Sequence, residues 1–257
     1  MPFTPVHPAA VLPVVGRGLA GSALVIGAIT PDLLMVSPFA APVHFAHTPL
    51  GLVTLDLVLG TVVFVLWQVL FAPAAIALSP RPLSARLPAD VPRGIAFHFT
   101  REDRGVRVLI AVLIGAATHL AWDGITHDWM WGPRYVPWLA SRHGSLMGWQ
   151  WMQHISDTAG TAIVIGWVVA WWRRAPVRAR VDVLPSRIRL LAWSAILGPA
   201  ATGFLHGLLT GSLYLAFSRG AALGAVGLVA VATIWRPHTR RTTTAGITSM
   251  GSPADHP

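Results

Sequence analysis

The chain is 257 residues long, 54% hydrophobic and only 11% charged, where a soluble domain carries about 25% charge; a charged soluble surface is excluded and an integral membrane protein is implied. The net charge of +9 comes from arginine, with no lysine. These arginines fall beside apolar stretches, so they read as topogenic charge rather than a nucleic-acid surface. Cysteine is absent, which excludes a disulfide framework and a thiolate zinc site and leaves His, Asp, backbone or water to hold any metal.

The N-terminus, MPFTPVHPAA, has neither a basic n-region nor an A-x-A cleavage pattern, so the first span is expected to serve as the insertion signal. Residues 9–30 are apolar but interrupted by Pro13, Gly16, Arg17, Gly18 and Gly21. Two short re-entrant or interfacial helices, packed on the bundle, are predicted there. Five apolar stretches follow, roughly 50–72, 106–125, 155–172, 190–210 and 213–235, each near the ~20 residues that cross a bilayer as a helix. The alternation of a β-barrel is missing. The tail from Thr239 is rich in Thr, Ser, Gly and Pro and is expected to be disordered. The predicted fold is therefore an all-α membrane domain over 1–238, with about five transmembrane helices plus the N-terminal short ones, and a cytoplasmic tail over 239–257.

Arginine sets the orientation. Arg81, Arg86, Arg93, Arg101 and Arg104 follow the first span, Arg173, Arg174, Arg178, Arg180 and Arg187 the third, and Arg236, Arg240 and Arg241 the fifth. These regions are assigned to the cytoplasm. The 126–150 loop, with only Arg134 and Arg142, then faces outward. The same assignment gathers His47, His119, Asp123, His127, His154 and His206 at the outer ends of the spans. Six tryptophans around the outer loop, Trp122, Trp129, Trp131, Trp138, Trp149 and Trp151, read as an interfacial aromatic belt.

The strongest local pattern is THLAWDGITH, in which His119, Asp123 and His127 recur every four residues and share one face of a helix. Ionisable groups at membrane depth are functional candidates by default, and imidazole with carboxylate suits zinc or another divalent ion. Asp128 is a candidate to orient a ligand histidine. The segment WQWMQHISDT adds His154 as a ligand candidate and Asp157 as a ligand, an orienting group or a helix-start acid. Thr-Pro pairs at Thr4-Pro5, Thr30-Pro31 and Thr48-Pro49 suit helix starts, and each lies within two residues of His7, Asp32 or His47. Asp32 is expected to open a helix, where the dipole favours a carboxylate. Asp56, inside the first span, is expected to pair with a neighbour or face the site.

The strings PFTPVHPA, GAITPDLL, FAHTPLG, GAATHLAWDGITH and QHIS resemble an uncharacterised family of bacterial integral-membrane proteins, a domain of unknown function, over about residues 2–235. More distantly, the order His, Pro-Asp, His, His-x-x-x-Asp is similar to bacterial membrane-bound metal-dependent hydrolases and to the zinc-dependent phospholipase C and single-strand nuclease superfamily. That resemblance implies a cluster of one to three divalent ions, zinc in the first place, held by His7, Asp32, His47, His119, Asp123, His127 and His154. Asp32 would bridge metals and orient the attacking water. The sequence departs from the superfamily in two places: Met1 lies six residues before His7, and Thr158 stands where a glutamate would follow His154.

The function so implied is a membrane-bound hydrolase of phosphodiesters or phospholipids at the extracytoplasmic face, with the lipid bilayer as its surroundings and no nucleic-acid partner. The alternatives are a metal-ion or solute transporter, which calls for polar residues strung across the bilayer, and a non-catalytic structural or assembly protein whose polar cluster locks helices together.

Overall fold

The computed structural model describes residues 4–36, 43–88, 91–178 and 184–248, with side chains except at 214 and 235–248. The prolines at 5, 8 and 13 lack the N–H that an α-helix needs, and this stretch winds instead into 3₁₀ turns, Thr4–Ala10 and Leu12–Val14. Helix α1 (Gly21–Leu33) follows. Its 13 residues reach only about 20 Å, short of the ~30 Å of a bilayer core. One α-helix with 3₁₀ turns thus stands where two short helices were expected.

Five helices are long and apolar enough to cross a membrane: α2 (Pro49–Leu78), α3 (Glu102–Thr126), α4 (Gly148–Arg174), α5 (Ser186–Thr210) and the Leu215–Ile234 part of α6 (Leu213–Thr248). The five expected spans are present, and the helices run past most of the expected apolar boundaries. Helix α6 continues to Thr248, beyond the 238/239 boundary read from composition; an established helix extends at little cost per residue. Helix α2 carries two π-helical stretches, Leu52–Asp56 and Trp67–Phe71.

The chain divides into two compact units. The first comprises residues 1–66 and 88–177, the second 67–87 and 178–257. In the first unit, α1 lies against α3 with glycine on each side. A Cβ on Gly27 would stand 2.2 Å from the Val112 carbonyl oxygen, and one on Gly115 would stand 2.3 Å from that of Leu24. Only glycine permits so close a backbone approach. Val11, Leu24, Ile26, Phe64, Val108 and Val112 form the buried core around this crossing. Between α3 and α4 run two short helices, Trp131–Tyr135 and Pro137–Ala140, and a small antiparallel ladder that pairs Arg142 with Met147 and His143 with Leu146.

In the second unit α5 and α6 form a hairpin packed through small residues. Cβ atoms on Gly203 and Gly207 would stand 2.5 and 2.4 Å from the carbonyl oxygens of Arg219 and Leu215. The Trp193 indole N–H donates to the Leu78 carbonyl at 3.1 Å, which joins the hairpin to the end of α2.

Candidate metal centre

Three elements of the first unit converge on one buried polar pocket. Helix α3 brings His119 and Asp123, one turn apart on the face turned to α1; α1 brings Asp32; and the short helix Val43–Ala46 leads directly into His47. All four side chains are buried. One donor atom from each lies within 4.8 Å of the donor atoms of the other three.

The geometry is that of a ring in which imidazole nitrogen and carboxylate oxygen alternate. His47 Nε2 is 3.4 Å from Asp32 Oδ1 and 3.3 Å from Asp123 Oδ2; His119 Nε2 is 3.6 and 3.1 Å from the same two oxygens. None of these four atoms has a hydrogen-bond partner. Ligands at the zinc–nitrogen and zinc–oxygen distances of about 2.0–2.1 Å stand about 3.3 Å apart around a tetrahedron, and the observed edges bracket that value. Buried polar atoms without partners are rare and call for an explanation. A divalent cation at the centre of this ring supplies one, and the residues present fit it.

The surrounding contacts fix which atoms face inward. His47 Nδ1 donates to the Val43 carbonyl at 2.9 Å and His119 Nδ1 to the Ala28 carbonyl at 2.8 Å. A carbonyl can only accept, so Nδ1 keeps its hydrogen and Nε2 is left to bind a cation. The Thr4 hydroxyl donates to Asp32 Oδ2 at 2.6 Å, and His7 Nε2 lies 3.0 Å from Asp123 Oδ1. Each carboxylate is thus held by one oxygen and offers the other. The His7 ring also stacks on that of His119 at 4.0 Å. His7 is in the cluster, but its Nε2 already serves Asp123.

Without a cation, burial works against the His47 imidazolium, yet the Asp123 and Asp32 carboxylates outweigh it and hold the group up at about 9. Burial likewise disfavours the Asp32 anion, and its contacts with His119, His47 and Thr4 overcome this, holding the carboxyl well below its usual range.

The other candidate ligands and orienting groups divide. His127 is buried at the end of α3, with Nδ1 3.6 Å from Asp123 Oδ1 and Nε2 unpartnered, beside the four-residue group rather than in it. Burial lowers its pKa, which leaves a neutral imidazole. His154 is exposed on α4 and stands outside the group. The buried face of α4 runs through Gly148, Ser156 and Gly160, and two residues from Ser156 is a turn of about 200° to the far side. Asp157 is half-buried on the same helix, outside the group, and Asp128 is exposed where the chain leaves the helix in extended conformation at His127.

Two further expectations need correction. Asp32 does not open a helix: it is the penultimate residue of α1, whose carbonyl end disfavours a carboxylate, so Thr4 and the histidines hold it instead. Thr30 is no cap, because its hydroxyl donates to the Ile26 carbonyl within α1. Thr48 does cap its helix, accepting from the Gly51 N–H at 3.0 Å. No sequence pattern marks Thr4 as a partner of Asp32. The same holds for the packing of Trp129, whose ring meets those of His44, His47 and His127 edge-on at 4.9, 5.4 and 5.5 Å. Asp56 is fully buried, with neither carboxylate oxygen hydrogen-bonded.

No curated protein and no solved structure matches the chain. The chain belongs to the family described as a domain of unknown function, DUF4184, whose model matches residues 1–242.

Proposed function

We propose that this protein is a membrane-embedded, metal-dependent hydrolase acting on phosphodiester or phospholipid substrates at the extracytoplasmic face of the bacterial membrane. The observation that carries the reading is the convergence of four buried ligand atoms, one each from Asp32, His47, His119 and Asp123, within 4.8 Å of one another and without hydrogen-bond partners. The substrate class rests on the sequence resemblance, and the facing on the arginine distribution. Zinc held there would lower the pKa of a water towards about 7 and polarise a phosphoryl oxygen. Among the protein's own groups, Asp32 is the one to orient the attacking water. His7 and Thr4 hold the two carboxylates in place, and Trp129 covers the His47 side.

A second reading draws support from the same geometry. Four protein ligands close a tetrahedral site, as in structural zinc centres, whereas catalytic ones keep a position open. On this reading the centre ties α1, α3 and the segment before α2 together and turns nothing over.

One set of measurements separates the two. Protein extracted in chelator-free buffer should carry at least one equivalent of zinc or a similar ion, and His119→Ala with Asp123→Ala should lose it. Asp32→Asn should retain the fold while abolishing hydrolysis of a phosphodiester and phospholipid panel. Metal-free wild-type protein overturns both readings. Bound metal that raises thermal stability, with no turnover of any panel substrate, overturns the hydrolase and supports the structural tie.

A further inference from the structure

The second unit has an unusual charge balance. Its described residues include no aspartate or glutamate, yet an arginine, Arg219, sits inside the apolar Leu215–Ile234 stretch of α6. It lies four residues from the start of that stretch, about 6 Å along the helix, at the depth where acyl chains give way to headgroups. A guanidinium at such a depth meets water and lipid phosphate, and no carboxylate is at hand among the described residues of this unit.

The neighbouring groups hold Arg219 without neutralising it. One guanidinium nitrogen, Nη1, donates to His206 Nδ1 at 3.1 Å and also to the Thr210 hydroxyl, both on α5. The backbone approach at Gly203 and Gly207 places these side chains next to one another. Because His206 Nδ1 accepts, its hydrogen resides on Nε2. Among the described residues, Arg219 Nε and Nη2 have no protein acceptor. The result is a fixed cluster of outward donors: three guanidinium N–H bonds and one imidazole N–H. Arginine's planar fork matches the two oxygens of a phosphate. The anion abundant at this depth is the lipid phosphodiester. With no carboxylate nearby to receive a choline or ethanolamine ammonium, the cluster favours a headgroup of net negative charge.

We propose that Arg219, His206 and Thr210 form a binding site for one anionic phospholipid, independent of the metal centre in the first unit. The test uses the full chain, delipidated in neutral detergent, titrated with phosphatidylglycerol or phosphatidylcholine and followed by native mass spectrometry. One phosphatidylglycerol per chain should bind at least tenfold more tightly than phosphatidylcholine. Arg219→Gln should abolish the preference, and Thr210→Val, which frees the guanidinium to move, should reduce it. Arg187→Gln, at the opposite end of the hairpin, should leave it unchanged. Millimolar inorganic phosphate should not displace the lipid. Equal binding of the two lipids, or equal loss in Arg187→Gln and Arg219→Gln, overturns the proposal. Displacement by inorganic phosphate also overturns it, in favour of a free-anion site. Should Arg219→Gln fail to fold, Thr210→Val and the wild-type comparison of the two lipids still decide the matter.

Discussion

Thr4 acts across 28 residues: its hydroxyl fixes one oxygen of Asp32 and so turns the other towards the two histidines. Thr4→Val removes that donor and keeps the shape. We expect a stability loss of about 1–3 kcal/mol, the cost of a buried acceptor left unpaired, and a metal affinity lower by about 10–100-fold. Thermal melts and chelator competition measure the two separately. His47 sets the pH behaviour. Without metal it stays protonated up to about 9, and a metal must displace that proton. Affinity should therefore rise as pH climbs from 7 towards 9. In metal-free protein the sign reverses. The raised pKa of His47 contributes stability that is complete below its unfolded value of 6.5 and disappears as pH climbs through about 9. Metal-free protein should melt at lower temperature at pH 9.5 than at pH 6.5, and added zinc should narrow the difference.

At the scale of elements, the α1–α3 crossing positions Asp32 opposite His119. Gly27→Ala and Gly115→Ala each drive a methyl against main-chain atoms that no side-chain rotation can clear. Each should cost about 1–3 kcal/mol and weaken metal binding. Gly166→Ala on α4 meets nothing within 4 Å and should be neutral or stabilising by up to about 1 kcal/mol, as chemical unfolding would show. The same crossing explains what the sequence discloses and what it hides. Long apolar runs announce the spans, and four-residue spacing announces His119 and Asp123, because both are local patterns. Asp32 is recognisable as a candidate but not its place at the helix end, since Pro31 suits a first turn and here occupies the last. His154 has the residue type of a ligand but lies on the exposed side of α4, which an evenly apolar span does not reveal. Thr4, reaching its partner through a 3₁₀ turn, follows no period at all.

At the scale of the molecule, every donor of the centre belongs to the first unit and none to the second. Removing metal with a chelator should accelerate amide hydrogen exchange in Thr4–Ala10, α1, the segment leading to His47 and the His119 end of α3. The α5–α6 hairpin should exchange as before. Uniform acceleration throughout the chain would mean that the cation stabilises more than its own unit. The two units differ in their acids, which among the described residues occur only in the first.

The imidazoles of His47 and His119 are steered by the peptide groups of Val43 and Ala28, whose carbonyl oxygens fix their orientation. Mutational scanning that exchanges one side chain at a time leaves both carbonyls in place and does not register this steering; at Ala28 it reads the packing of a fully buried residue instead. Replacing the backbone amide at Ala28 or Val43 with an ester, which weakens the carbonyl as an acceptor without altering the side chain, would uncover a dependence that codon-level variation conceals.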